Sequence, residues 1–228
     1  MNTIQEYLYR KQERLIQSDL FQNLKTCEYD LEDFARLAHN ISFWVMSFQD
    51  LLRINLLQIS DKKYYTLIQQ HLLEDMGHEK WFLDDLQEMN VEQPNLQVLY
   101  SKPYTAVRDA TFFLMSEVFR TTSDYERIIL ILTLESAGHI FFECIADFLE
   151  KNNWKPNLKY FSKHHLSAEK NHDIFENEIQ LYLNTIQLNY QQEIHLFKMI
   201  DRIYEAFSLM FDGLSIALSS SKKVEFAL

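Results

Sequence analysis

The chain is poor in turn formers: its 228 residues include only three glycines and three prolines. So few breakers argue against a loop-rich or β-rich architecture and point to long helices with few connections. Cysteine is scarce too. Cys27 and Cys144 lie too far apart for a Cys-x-x-Cys site and are too few for a disulfide framework. Basic residues are the minority charge: 22 Lys and Arg against 33 Asp and Glu give a formal net charge of −11. Such a chain gains nothing electrostatically from a phosphate backbone, so no nucleic-acid partner is expected. We find no run of about 18 consecutive apolar residues, which argues against a membrane span. The opening stretch MNTIQEYLYRKQERL carries charge where a signal peptide needs an apolar centre, so the expected compartment is the cytoplasm.

Aromatic residues, by contrast, are abundant. Seventeen Phe, twelve Tyr and three Trp can fill the space between helices. The length suits one sizeable core. Apolar periodicity predicts seven helices, over 3–24, 29–57, 61–90, 104–120, 124–151, 157–187 and 190–218. Asp30, Asp61 and Ser123 stand where N-caps belong. Residues 218–228 are expected to form a loose tail. No strand pattern of useful length and no internal repeat is seen. The expectation is an all-α, single-domain bundle over 1–228 with neighbouring helices antiparallel.

Three helices carry acids and histidines on otherwise apolar faces. In QQHLLEDMGHEKWFLDDL, His71, Glu74 or Asp75, and His78 fall at helical spacing along one face. Glu135 follows the uncharged run IILILTL, and a buried carboxylate there needs a partner or a ligand role. In HHLSAEKNH, His165, Glu169 and His172 share a face, while His164 points about 100° away. Asp84, Asp85, Glu88 and Glu143 read as solvated, and His39 and His195 carry no local signal. Carboxylates and imidazoles converging from several helices suit a dinuclear iron or manganese site, since oxygen donors can bridge two cations and nitrogen donors cap each one. Zinc needs only three or four ligands, and six or seven are on offer. No Cys–His nucleophile is supported around Cys144.

Two resemblances follow from these residues. Ferritin-like diiron proteins combine two Glu-x-x-His steps with two further Glu; Asp75–x–x–His78, Glu135 and Glu169–x–x–His172 nearly match that scheme, with Glu32 as the fourth element. The match is closer to the heme-oxygenase-like diiron oxidases and oxygenases, which share a seven-helix fold with the TenA thiaminases and PqqC. The step His165–x3–Glu169–x2–His172 resembles that family's His–x3–Asp/Glu–x2–His motif. Glu135 resembles its core-helix Glu, and His78 its earlier histidine. The family's preceding acid falls at His71 in one spacing and at Asp75 in another, and that choice stays open.

The resemblance implies a fold, two Fe(II) ions per chain (Mn as the variant metal) and O2 as co-substrate. It implies N-oxygenation, desaturation or C–C cleavage of a small amino-acid-like or fatty-acid-like molecule. Glu135 and Glu169 would be the catalytic carboxylates. The ligand set would come from His71, Asp75, His78, Glu135, His165, Glu169 and His172. An external electron donor and a homodimer are compatible partners. Arg53, Arg108, Arg120 and Arg127 are candidates to hold a substrate carboxylate. The alternatives are a ferritin-like diiron protein and a metal-free TenA- or PqqC-like small-molecule binder.

Overall fold

The computed structural model of the chain describes residues 3–154, 157–170 and 188–225, with the side chains at 167–170 and 220–225 excepted. Among the described residues every regular element is helical and none is a strand. The elements are α1 (Thr3–Leu15), α2 (Asp19–Lys25), α3 (Leu31–Asn40), α4 (Ser42–Leu56), α5 (Lys62–Asp75) and α6 (His78–Glu88). Then follow a short α7 (Leu96–Leu99), a 3-10 turn (Lys102–Tyr104), α8 (Thr105–Arg120), α9 (Asp124–Lys151), α10 (Lys163–Lys170) and α11 (Tyr190–Glu225).

The expected caps are in place. Asp30 forms a reciprocal capping box with Asp33, Asp61 accepts from the Lys63 amide, and Ser123 accepts from the Glu126 amide. The first three expected helices, however, are each divided in two. The first stops at Leu15, and Ser18 in extended backbone starts α2. The second bends at Ile41, where the Ser42 hydroxyl donates to the His39 carbonyl at 2.6 Å. A serine bonded to a carbonyl of the preceding turn competes with the helical ladder. The third breaks at Met76 and Gly77: Met76 is extended, and Gly77 takes φ +104°, a conformation open chiefly to glycine.

Two further boundaries differ. Residues 157–162 are a loop, and α10 starts at Lys163; residues 171–187 of the expected sixth helix lie outside the described residues. The cause of the loop is Asp85, 1% exposed, which accepts from the backbone amides of Lys159 at 2.7 Å and Phe161 at 3.0 Å. Asp85 is therefore no solvated residue but a staple between α6 and the segment that leads into α10. Asp85→Ala is expected to cost about 2–4 kcal/mol, since two amides, that of Phe161 buried and that of Lys159 partly so, lose their acceptor. Chemical denaturation checks this, and Asp85→Asn should recover part of the loss. At the C-terminus α11 runs on through Glu225, where a loose tail was expected. No Gly or Pro follows Gly213 to stop it.

α9 is the spine of the core. It buries Ile128, Ile129, Leu130, Ile131, Leu134, Ala137, Phe141, Ile145 and Phe148. α11 packs chiefly on α8 and α9, α4 on α8, and α1 and α2 on α9. α9 is also long and apolar enough to span a membrane, with an 18-residue window of mean hydropathy 1.8, which corrects the expectation that no such stretch exists. Fifty-six per cent of that window is buried within the fold, the pattern of a core helix. α4, α5, α6, α9 and α10 bring their polar residues to one region between them.

Candidate metal centre

The site begins at the break between α5 and α6. Asp75 ends one helix and His78 starts the next, so the three residues from His71 to His78 do not share one continuous face. Gly77 reverses the chain instead, and Asp75 Oδ1 lies 2.7 Å from His78 Nδ1. Gln49, on α4, fixes this corner. Its side-chain amide donates to the Asp75 carbonyl at 2.9 Å and to Asp75 Oδ2 at 2.5 Å. The first bond satisfies a carbonyl that the end of α5 leaves without a helical partner. Glu74 turns aside and accepts from Gln70 at 2.9 Å. Of the two neighbouring acids, Asp75 is the one that reaches the histidines.

α10 supplies the third group. His165 is buried, and its Nε2 lies 3.1 Å from His78 Nδ1. Its ring stacks on Tyr160 at 4.9 Å and meets Phe142 edge-on at 4.1 Å, while His78 lies against Trp81 at 4.5 Å. These aromatic contacts lock the imidazole orientations. The candidate ligand atoms of Asp75, His78 and His165 all fall within 4.8 Å of one another, and all three residues are buried. Two imidazoles and one carboxylate converging from three helices are a donor set suited to Fe(II) and related divalent metals. By donor chemistry and convergence, these residues fit a metal.

His71 and Glu135 form the adjoining pair. His71 is buried, and its Nε2 lies 3.0 Å from Glu135 Oε1. Glu135 keeps 31% of its side chain exposed, so the isolated buried carboxylate expected on α9 is half-open and partnered by a histidine. A cavity of about 40 Å³ is lined by Asp75, His78, Glu135 and His165, with Trp44, Phe48 and Phe142 among its apolar walls. His164 is exposed, as expected. The side chain of Glu169 and the whole of His172 lie outside the described residues. Glu32 is 74% exposed and pairs with Arg36 on the surface, far from the ligand role that a ferritin-like scheme assigns it.

Electrostatics tie the cluster together. Burial pushes the His71 pKa down, but the Glu135 hydrogen bond and charge, with Asp75 and Glu74 behind it, outweigh burial and hold it above the usual 6.5. Burial would raise Asp75, but His78, followed by His71 and His165, holds its carboxyl below the usual range. A histidine with a raised folded pKa stabilises the fold fully below its unfolded value, and that contribution is lost as pH rises through the folded value. The metal-free protein should therefore lose stability as pH climbs above 6.5. Thermal melts from about pH 5 to about pH 9 would show this, and His71→Gln should flatten the slope.

Three of the four candidate arginines are tied to the fold, and the fourth to a surface acid. Arg127 donates to the Val118 and Thr121 carbonyls and to Thr121 Oγ1, Arg108 to the Leu99 and Ser101 carbonyls, and Arg120 to Glu117. Arg53 pairs with Asp50 at the surface. None lines the cavity. Burial pushes the Cys144 thiol up to about 12, so it is no nucleophile. Gln49 is the site residue that helical periodicity overlooks; its signal is a lone amide within the apolar run FWVMSFQDLL.

No protein-family model matches the chain. No curated protein matches it at significant similarity.

Proposed function

We propose that the protein is a non-heme diiron oxidase or oxygenase of the heme-oxygenase-like type, using O2 to oxidise a small organic molecule in the cytoplasm. The convergence of buried Asp75, His78 and His165 is the observation that carries this reading. These three would hold one ion. Glu135, which lines the same cavity, and its partner His71 would contribute to the second, together with Glu169 and His172 from the sixth-helix motif. Bound Fe(II), or Mn in its place, would supply O2 activation, with electrons from an external donor.

The chain's own residues have definable tasks. Gln49 fixes the Asp75 carboxylate and its carbonyl at once, so the carboxylate presents one oxygen to the cluster. Without metal, His71 Nε2 and Glu135 Oε1 share a hydrogen bond, and Glu135 carries it to the cavity wall. Trp44, Phe48 and Phe142 limit water in the cavity and favour an apolar segment of substrate. Free Cys27 and Cys144 accord with a reducing compartment.

A second reading, a metal-free small-molecule binder on a related helical fold, draws on one specific observation. His71–Glu135 and His78–Asp75 already satisfy one another by hydrogen bonds, as structural polar residues would. Anaerobic addition of Fe(II), followed by metal analysis and exposure to O2, separates the two. About two irons per chain and a transient absorbance on adding O2 support the diiron reading. No retained iron, with or without candidate substrates, rejects it in favour of the binder.

A further inference from the structure

Three glycines serve the whole chain, and two have an evident structural cause. Gly77 takes φ +104° at the α5–α6 corner. Gly213 lies so close to α8 that a Cβ there would collide with Ala106. Gly138 has neither cause. It sits inside α9 with ordinary helical backbone, and a Cβ built on it meets nothing within 4 Å among the described residues. A glycine inside a helix costs about 1 kcal/mol relative to alanine. Among the described residues nothing packs into the space gained.

That space belongs to the candidate centre. Gly138 lines the same cavity as Asp75, His78, Glu135 and His165. It lies one turn beyond Glu135 and one turn before Phe142, on the face of α9 that those two side chains share. The cavity holds about 40 Å³. One water-sized sphere needs roughly 10–15 Å³ on that measure, so the room is for about three such atoms. A methyl group at position 138 would take a large part of it.

We propose that Gly138 is a specificity-determining residue: its missing side chain keeps open a space beside the Asp75–His78–His165 cluster in which a dioxygen-sized ligand reaches the metal. This rests on the metal reading above. Gly138 touches no ligand atom of its own and acts through volume alone. The space admits a small linear ligand and excludes bulk beside the metal.

The test uses the full chain loaded anaerobically with Co(II), with azide as the probe and the visible Co(II) bands as the readout. Wild type, Gly138→Ala and Gly138→Val are compared. All three should take up Co(II) equally. Azide should bind wild type, weaken about tenfold or more in Gly138→Ala, and be lost in Gly138→Val. The alanine variant should also melt a few degrees higher, because an unneeded helical glycine has gone. Azide affinity in Gly138→Ala within about twofold of wild type, a wild-type Co(II) form that takes no azide, or a lowered melting temperature in Gly138→Ala would each overturn the proposal and leave the metal reading standing. Absence of Co(II) uptake by wild type would overturn both.

Discussion

Replacing His165 with alanine should abolish tight binding of a divalent transition metal while the chain stays folded. His165 supplies one of three converging donors, and the remaining two, Asp75 and His78, adjoin each other at one helix corner. Loss of a group that hydrogen-bonds a ligand from behind typically costs about 10–100-fold in metal affinity. Loss of one ligand of three should exceed that, so a drop of at least about a hundredfold is expected in a Co(II) or Fe(II) titration. The adjacent His164 provides the control: it is exposed, and His164→Ala should bind like wild type. Gln49→Leu probes the layer behind the ligands. It removes both bonds to Asp75 and should weaken the metal by about 10–100-fold without changing the number bound. Wild-type affinity in His165→Ala would remove the cluster from consideration as a metal site. Circular dichroism guards against a trivial answer, because His165 also packs on Tyr160 and Phe142.

Helical periodicity made much of this architecture legible. α9 is bounded at Asp124 and Lys151 as its cap and apolar run imply, and Asp30, Asp61 and Ser123 all cap. Periodicity cannot say where an amphipathic stretch bends, however, because both halves keep the same spacing. The break at Gly77 therefore lay hidden within a pattern that continues through it, although the glycine itself was the cue. That break decides the site: Asp75 and His78 meet across a turn, not along a face. Asp85 departs from its solvated reading for a different reason. An acid reads as solvated unless a partner is in view, and its partners are backbone amides at Lys159 and Phe161, which no residue type announces. Gln49 is silent in the sequence likewise, its target being partly a main-chain carbonyl. Long-range pairing to backbone is the information that one-dimensional spacing lacks.

One-dimensional spacing is equally silent on Glu117, whose partner is a side chain 85 residues away and whose removal should cost the fold heavily. Glu117 is on α8 and fully buried. Its carboxylate accepts from Arg202 of α11, at 2.9 and 3.0 Å through Nε and 2.7 Å through Nη2, and from Arg120 at 3.0 Å. The paired contacts to Arg202 are the fork geometry in which guanidinium and carboxylate bind best. They cross the interface between two helices that pack extensively on each other. Breaking such a pair from one side typically costs about 3–5 kcal/mol, because a half-buried cation loses its counter-charge. Glu117→Ala should therefore fall in that range. At roughly 2–4 °C per kcal/mol for a chain of this size, the melting temperature should drop by about 10 °C. Arg120→Ala should cost under about 1 kcal/mol, since the Arg120 side chain is 55% exposed and its pairing is largely screened. Glu117→Gln, keeping shape and one acceptor, should lie between. A Glu117→Ala protein melting within about 2 °C of wild type would mean that water or a neighbouring acid replaces the carboxylate, and that helix packing alone holds α8 to α11.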